Sequence, residues 1–294
     1  MPTTDRPRVA VFAYSEVGHA CLQTLLQQGA NIAAVVTHPD DPDEEIWFHS
    51  VADLARAHGL PLCVAKKIGP EEAAFVAASA PELIFSFYFR ALIPMPVLEA
   101  ARLGAWNMHG ALLPKYRGRA CINWAVVNGE TQTGVTLHEM TDKPDAGRIA
   151  GQTAFPIGPA DTALDVFVRA AKEAGLLLER LLPALEAGTP DLTEQDEAAA
   201  SYYGRRTPAD GRIDWNKSAR EIYNLVRGVT HPFPGAFTTI DGTKYFIWQA
   251  APRPGSAAPG AIVRRSPLTF GTADGLLEAL RIQPEGGFET DGSL

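Results

Sequence analysis

The stretch VAVFAYSEVGHACLQTLLQQGANIAAVVT, residues 9–37, decides the fold of the first half of this chain. Its two apolar runs, Val9–Tyr14 and Ile32–Thr37, have the length and composition of buried strands. Between them, Gly18–Gln28 shows helical periodicity. A strand, a helix and a second strand in this order are typical of a parallel sheet with helices on its faces.

The same alternation continues along the chain. It predicts a hairpin that extends the sheet and then a long helix with apolar residues at helical spacing from Leu164 to Leu185. We therefore predict an α/β domain with a Rossmann-like, mostly parallel sheet. The further predicted strands are Leu62–Val64, Leu83–Phe87, Ala105–His109 and the hairpin Thr133–Glu139 with Ile149–Pro156, and the further helices are Phe48–His58 and Glu71–Ser79.

The pattern changes after Gly188. Residues 189–204 are polar, acidic and without periodicity, which predicts a linker. Residues 205–294 combine one helical segment, Ser218–Val229, with short apolar runs separated by Pro and Gly, which is typical of a small β-barrel-like (OB-like) domain. The expected domains are thus 1–188 and 205–294. The short strands expected in the second are Ala236–Ile240, Lys244–Gln249, Ala261–Val263 and Leu276–Ile282.

Composition excludes several classes of protein. The formal net charge is −8, which disfavours a nucleic-acid-binding surface, and no apolar run approaches the roughly 18 residues of a membrane span. The N-terminus lacks the apolar core of an export signal, so we expect a cytoplasmic protein without membrane insertion. Cys21, Cys63 and Cys121 are too widely spaced for a zinc knuckle or a disulfide framework, and we expect no metal.

The turn after the first strand does not favour a dinucleotide. It lacks the G-x-G-x-x-G pattern, and Glu16 would repel a pyrophosphate at the start of the helix.

The strongest chemical signal is Trp106–Pro114, WNMHGALLP. Because side chains alternate along a strand, Asn107 and His109 share a face at its carboxyl end, where ligands of open α/β sheets bind. An amide that donates to an oxyanion and an imidazole that accepts a proton are what acyl transfer to an amine requires. The alternative is a histidine whose ring is simply satisfied by the backbone at a strand end.

A second polar cluster, Met140–Gly147, follows a strand and contains Asp145. A carboxylate beside His109 would favour the imidazolium and hold the ring, whereas the alternative is an ordinary Asx turn. Between the two clusters lies Lys115–Arg119, a basic loop that is either solvated or in contact with an anionic ligand.

Together these motifs resemble the folate-dependent formyltransferase family. The resemblance covers nearly the whole chain, and the Pro/Gly-rich end of the second half is similar to the family's second domain. The matching motifs are Asn107-x-His109, Leu112-Leu113-Pro114-x-Tyr116-Arg117-Gly118, Thr133–Thr136, Asp145-x-Gly147, Tyr203–Pro208 and Val229–Phe237. The closest likeness is to the ArnA-type branch, which formylates UDP-4-amino-4-deoxy-L-arabinose on the pathway that modifies lipid A. The residues that carry this likeness are Phe85–Arg90, Asn128–Thr131 and Leu137-His138-x-Met140.

The resemblance implies a formyltransferase that takes 10-formyltetrahydrofolate as donor and a nucleotide-linked aminosugar as acceptor. Carried over residue by residue, it implies catalytic roles for Asn107, His109 and Asp145. The chain departs from the family at Ala111, where a Ser is usual, and at Cys121, where a Pro is usual. The implied donor contacts are Ala91, Leu92, Ile93, Arg119, Thr141, Asp142, Lys143, Pro144 and Asp145.

Two alternatives remain at this point. Methionyl-tRNA formyltransferases carry a basic loop after the second strand, but here His38–Glu45 holds five carboxylates and no Lys or Arg, which would repel RNA phosphates. The other alternative is a non-catalytic folate- or nucleotide-binding module, against which the joint presence of Asn107, His109 and Asp145 argues.

Overall fold

The computed structural model describes residues 6–42 and 44–293, and over these residues the chain divides into two compact units. The first unit consists of the chain up to Gly118, Thr133–Phe155 and Phe167–Tyr202. The second consists of Arg119–Gln132, Pro156–Val166 and the chain from Tyr203 onwards. The two units therefore interleave in sequence, and the predicted boundaries at 188 and 204 stay a prediction.

Strands and helices are numbered here in chain order. The strands are β1 (Arg8–Ala13), β2 (Asn31–Thr37), β3 (Leu62–Val64), β4 (Leu83–Phe87), β5 (Ala105–His109), β6 (Arg117–Gly118), β7 (Gln132–Glu139), β8 (Ile149–Pro156), β9 (Tyr202–Tyr203), β10 (Ala236–Ile240), β11 (Thr243–Arg253), β12 (Ile262–Arg265), β13 (Leu268–Gly271), β14 (Leu276–Pro284) and β15 (Thr290–Asp291). The α-helices are α1 (Ser15–Gln27), α2 (Val51–Ala57), α3 (Pro70–Ala78), α4 (Met95–Leu98), α5 (Cys121–Val127), α6 (Ala163–Glu186) and α7 (Ala219–Val229), and Glu197–Ala199 and Pro208–Gly211 form 3₁₀ turns.

The sheet of the first unit has the strand order β3-β2-β1-β4-β5-β7-β8. Its strands from β3 to β5 pair in parallel, and β7 pairs antiparallel with β5. The predicted Rossmann-like, mostly parallel sheet is thus confirmed. The parallel strands are mostly apolar, as is typical of a sheet buried on both faces, and one hydrophobic cluster contains Phe12, Val36 and Ile84.

Helix α1 begins at Ser15, three residues before the predicted Gly18, and crosses close over the neighbouring strand ends. A Cβ at Gly18 would lie 3.1 Å from the carbonyl oxygen of Phe87 and 3.2 Å from the Cβ of Ala13. A glycine at this position therefore lets the first turn of the helix approach the ends of β1 and β4.

The second unit contains an antiparallel sheet of order β10-β11-β14-β13-β12, with β15 paired to β14. The expected β-rich second fold is confirmed as a curled antiparallel sheet, and register shifts interrupt the β11–β14 pairing at Gln249. Helix α7 supplies Ile222 and Val226 to the core beside Ile247 and Leu277. The sequence reading missed β13, a run of only four residues directly after Pro267.

The described residues contain no helix that combines the length and apolar composition needed to cross a membrane.

Candidate active site

The site lies along the second half of β5, beside the antiparallel strand β7. In the antiparallel register Asn107 lies opposite His138, and directly opposed residues share a face of the sheet. Asn107 Nδ2 lies 3.1 Å from His138 Nε2, and His138 Nδ1 lies 2.7 Å from the carbonyl oxygen of Glu139. Because a carbonyl only accepts, Nδ1 of His138 carries a proton, and in the neutral ring Nε2 accepts from the amide of Asn107.

His109, two residues further along β5, lies on the same face as predicted and is 6% exposed. Its Nε2 lies 2.8 Å from the carbonyl oxygen of Tyr116, so Nε2 carries a proton and donates it. This bond agrees with the reading of a histidine satisfied by the backbone, but it uses only one ring nitrogen. The other nitrogen, Nδ1, faces a carboxylate.

That carboxylate belongs to Asp145. Its Oδ1 lies 3.6 Å from His109 Nδ1 and 3.4 Å from His138 Nε2, and its Oδ2 accepts a hydrogen bond of 2.9 Å from the backbone N–H of Gly118. The structure therefore brings together the three residues predicted to be catalytic. The backbone N–H of Gly118 is 27 residues away from Asp145 in sequence, so the carboxylate does not form the local Asx turn that was the alternative.

The surroundings of Asp145 keep its carboxyl ionised. Burial by itself would raise the pKa of Asp145, but the positive charge of His109 and His138 when protonated, a hydrogen bond from protonated His138 and the Gly118 N–H together hold that pKa well below its usual range. A fixed negative charge thus lies between two imidazole rings.

The turn that presents Asp145 is tightly constrained. Asp145 has φ of 58°, in the left-handed region that Asp tolerates better than most side chains. Two residues later, a Cβ at Gly147 would lie 2.1 Å from the carbonyl oxygen of Glu139, so only glycine fits against the end of β7. The Asp145-x-Gly147 motif therefore has a steric basis as well as a chemical one.

The loop after β5 is held by a buried hydroxyl. Thr136 Oγ1 donates to the carbonyl of Ala111 at 2.6 Å and accepts from the N–H of Leu113 at 3.2 Å. Gln152 Nε2 adds bonds of 2.9 Å to Thr136 Oγ1 and to the carbonyl of Leu113. The bond to Ala111 uses a backbone carbonyl, so replacement of the usual Ser at that position leaves this anchor intact.

The basic loop Lys115–Arg119 does not offer Arg117 to a ligand. The Arg117 side chain is fully buried and donates to Gln195 Oε1 at 2.8 Å and to Glu197 Oε1 at 2.6 Å, with a further contact to the hydroxyl of Tyr202. A guanidinium with this many protein acceptors is structural, so the suggestion of an anion-binding role is wrong for Arg117.

The segment predicted as a linker contributes directly to the site. Gln195 Nε2 donates to the carbonyl oxygens of Asp145 (2.9 Å) and Gly147 (2.6 Å), and Ser201 Oγ accepts from the N–H of Tyr116 at 2.9 Å. The sequence reading missed these residues, as it missed His138 as a member of the site. A polar stretch without periodicity carries no signal of its contacts, whereas His138 could have been found from its place on the strand next to Asn107.

The predicted donor-binding residues of the first unit fall into two segments. Ala91, Leu92 and Ile93 follow β4; Leu92 is 78% exposed, and Ile93 is buried in the hydrophobic cluster against which Met140 packs. Next to Met140 begins the exposed turn Thr141–Pro144, in which Thr141 Oγ1 donates to the Lys143 carbonyl at 3.0 Å. Ile93, at the end of the first segment, and Met140, just before the second, thus pack in the same hydrophobic cluster.

Arg119 belongs to the second unit. There its backbone N–H donates to the carbonyl of Tyr203 at 2.9 Å, and its side chain is exposed.

The acidic loop His38–Glu45 is partly neutralised by local partners. Glu44 pairs with Arg90 at 2.6 Å, and Asp40 Oδ1 accepts from the hydroxyl of Tyr14 at 3.3 Å. Tyr14, His38, Asp40 and Arg90 line a surface cleft at the ends of β1, β2 and β4. Asp43 lies outside the described residues.

Within residues 6–42 and 44–293, no group of three or more His, Cys, Asp and Glu side chains has an arrangement that could hold a metal ion.

Comparison with known families gives two matches. The family described as "Formyl transferase" matches residues 7–182, and the one described as "Formyl transferase, C-terminal domain" matches residues 205–293.

Solved structures with the same fold include three that contain folates. The structure of WlaRD, a sugar 3N-formyl transferase, in the presence of dTDP and 5-N-formyl-THF is 19% identical with a TM-score of 0.71, over 95% of this chain and 97% of that one. The N-formyltransferase from Helicobacter canadensis, in complex with folinic acid and dTDP-3-aminofucose, is 22% identical with a TM-score of 0.72, over 92% and 98%. HypX from Aquifex aeolicus in complex with tetrahydrofolic acid is 18% identical with a TM-score of 0.67, over 98% of this chain but 46% of HypX, so the chain spans less than half the length of that protein.

Proposed function

The chain belongs to the formyl transferase family, and from this premise we propose that it transfers a formyl group from 10-formyltetrahydrofolate to the amino group of a nucleotide-linked aminosugar. The observation that carries the proposal is the convergence of Asn107, His109 and Asp145 at one end of the sheet. An amide donor, a histidine and a buried carboxylate are suited to moving an acyl group onto an amine.

The proposed reaction involves three changes at the formyl carbon. The amine nitrogen forms a bond to the formyl carbon, negative charge collects on the former carbonyl oxygen, and the bond from that carbon to N10 of the folate breaks. Asn107 donates its amide to the oxygen while the charge develops. The attacking nitrogen loses a proton, and the leaving N10 gains one.

The orientation of His109 limits which atom can handle these protons. Because Nε2 is committed to the Tyr116 carbonyl, proton exchange takes place at Nδ1, on the side of Asp145. The carboxylate then stabilises the imidazolium after the proton is taken up. The Tyr116 carbonyl orients the ring, and Asp145 supplies the charge.

The donor assignment is supported by the relatives. WlaRD, the Helicobacter canadensis enzyme and HypX were each solved with a folate. In this chain we assign the folate to Ala91–Ile93 and to the turn Thr141–Asp145. The turn begins beside Met140, which packs against the hydrophobic cluster of Ile93, and it ends at the carboxylate proposed to be catalytic. We include Arg119 as a donor contact on the family resemblance alone.

For the acceptor we propose UDP-4-amino-4-deoxy-L-arabinose, on the pathway that modifies lipid A. Support comes from the ArnA-type motifs Phe85–Arg90 and Asn128–Thr131. A small acceptor is further supported by the loop His38–Glu45, whose carboxylates would repel a polynucleotide. WlaRD and the Helicobacter canadensis protein were solved with dTDP or a dTDP-sugar, so acceptors with both nucleotides are compared in the test.

A panel of acceptors tests the proposal. The chain is incubated with 10-formyltetrahydrofolate and, separately, UDP-4-amino-4-deoxy-L-arabinose, dTDP-3-amino and dTDP-4-amino sugars, and methionyl-tRNA. Formamide product is followed by mass spectrometry and tetrahydrofolate release by absorbance, with His109→Gln as the inactive control. We expect the UDP-sugar to give the highest kcat/KM. Faster formylation of a dTDP-sugar would change the acceptor, faster formylation of methionyl-tRNA would overturn the aminosugar assignment, and no tetrahydrofolate release with any acceptor would leave a non-catalytic binding module.

A further inference from the structure

The side-chain amide of Gln195 connects the buried Arg117 to the turn that carries Asp145. Its Oε1 accepts from Arg117 Nη2 at 2.8 Å and Nε at 3.1 Å, and its Nε2 donates to the carbonyls of Asp145 at 2.9 Å and Gly147 at 2.6 Å. We propose that Gln195 is a positioning residue for formyl transfer, which holds the carboxylate of Asp145 in place between His109 and His138.

The amide is suited to this task because all its strong bonding directions are used. A primary amide has an oxygen that accepts and two N–H groups that donate, and here the oxygen faces a guanidinium while the nitrogen faces two carbonyls. No rotation of the amide preserves these bonds, since exchange of oxygen and nitrogen would oppose donor to donor and acceptor to acceptor. The position of Gln195 is therefore determined from both sides.

The anchor behind Gln195 is itself rigid. Arg117 is fully buried, and it also donates to Glu197, which lies two residues beyond Gln195 in the same segment. The N–H of Gly118, next to Arg117, donates to Asp145 Oδ2. Arg117 and its neighbour thus reach Asp145 by two routes, directly to the carboxylate and through Gln195 to the backbone.

The contacts of Gln195 with the carbonyls of Asp145 and Gly147, here called the clamp, hold a turn whose backbone conformation is unfavourable. Asp145 has a left-handed backbone, and its carboxylate must remain 3.6 Å from His109 Nδ1 and 3.4 Å from His138 Nε2. A displacement of about 1 Å at a reacting group can cost on the order of 10²-fold in rate. Loss of the hydrogen bonds to the carbonyls of Asp145 and Gly147 removes a restraint on the distances from the Asp145 carboxylate to His109 and His138.

The test uses the whole chain with two substitutions at one position. Gln195→Met keeps the volume but removes the acceptor and both donors. Gln195→Glu keeps an acceptor for Arg117 but replaces both donors to the turn by a carboxylate oxygen, which repels the carbonyls of Asp145 and Gly147. The matched control is Gln283→Met in the second unit, because Gln283 also bridges two segments: it accepts from Trp248 Nε1 and donates to the Gly287 carbonyl, each at 2.9 Å.

We expect both Gln195 variants to lower kcat by about 10–100-fold. In Gln195→Met the acidic limb of the kcat–pH profile should move to lower pH, in the direction expected for Asp145→Asn, because a carboxylate that has moved away no longer favours the imidazolium. Gln283→Met should retain the wild-type profile. A loss of thermal stability in Gln195→Met with an unchanged profile shape and kcat within about twofold of wild type would show a structural role only and overturn the proposal.

A second readout separates this inference from the proposed function on which it rests. Backbone hydrogen exchange at residues 141–147 should become faster in Gln195→Met than in wild type, while exchange in β1 stays the same. This measurement needs no substrate. Unchanged exchange in the turn overturns the positioning role even if the enzyme is active. If the wild-type protein formylates no acceptor, the proposed formyl transfer is refuted. Faster exchange of the turn in Gln195→Met would still show that Gln195 holds the turn of Asp145.

Discussion

Nε2 of His109 lies 2.8 Å from the carbonyl oxygen of Tyr116, and this contact decides which atom of the ring can exchange a proton. A carbonyl accepts and never donates, so the ring holds its Nε2 proton against the backbone and turns Nδ1 towards Asp145. Substitutions that keep or remove this hydrogen bond therefore distinguish the contribution of His109 to stability from its contribution to turnover.

Replacement of His109 should separate stability from turnover. His109→Gln can still donate to the Tyr116 carbonyl but cannot take up a proton, so kcat should fall about 10²–10⁴-fold while the free energy of unfolding changes little. His109→Ala should lose the same activity and also about 0.5–1.5 kcal/mol of unfolding free energy, because the buried hydrogen bond to the Tyr116 carbonyl is lost. Steady-state kinetics and urea unfolding measure the two effects, with His58→Gln at an exposed position as control. Activity of His109→Gln near wild type would remove this residue from the mechanism.

Asn107 and Asp145 should give different pH–rate profiles. Asn107→Ala removes a donor to the developing oxyanion, so kcat should fall about 10²–10³-fold at every pH with no change in profile shape. Asp145→Asn removes the charge beside His109, so the acidic limb of the profile should also move to lower pH. Profiles from pH 5 to 9 decide between the two roles. Identical shapes for both variants, or a shift only in Asn107→Ala, would contradict this division of work.

A double-mutant cycle tests the pairing of Asn107 with His138. Because His138 accepts from the Asn107 amide, removal of the imidazole frees the amide to rotate away from the oxyanion. We expect a coupling energy of about 0.5–3 kcal/mol in kcat between Asn107→Ala and His138→Ala, so the double variant should lose less activity than the sum. The cycle of Asn107→Ala with His58→Ala should be additive. Additivity in both cycles would mean that His138 does not position the amide.

The stability contributed by Asp145 should depend on pH in one direction. The folded-state pKa of Asp145 lies below its unfolded value of about 3.9, so the unfolded chain binds the proton first as the pH falls. The stabilisation is therefore complete well above pH 4 and is lost as the pH falls below the unfolded pKa towards the folded one. Urea unfolding of wild type and Asp145→Asn at pH 6 and pH 3 measures this. The difference between the two proteins should be smaller at pH 3, and a difference that grows on acidification would refute the assignment.

Much of the fold could be predicted from local pattern. The spacing of apolar residues predicted each strand from β1 to β5 and helices α1 to α3, because burial on a sheet face or a helix stripe imposes a period on the sequence itself. The same period placed Asn107 and His109 on one face of β5, and the family motif added Asp145. The family match then confirmed the class of enzyme.

What the tertiary structure decided are contacts across long stretches of chain. Asp145 is joined to Gly118 over 27 residues and to Gln195 over 50, and Arg117 is buried against a segment whose sequence predicts a linker. Periodicity cannot show these contacts, because it reports which way a side chain points and not what it meets. The partner is set by how β5, β7 and the segment after α6 pack together. The residues proposed to carry the chemistry could thus be named from the sequence, whereas the proton-bearing nitrogen of His109 and the contacts of Gln195 with the turn of Asp145 required the fold.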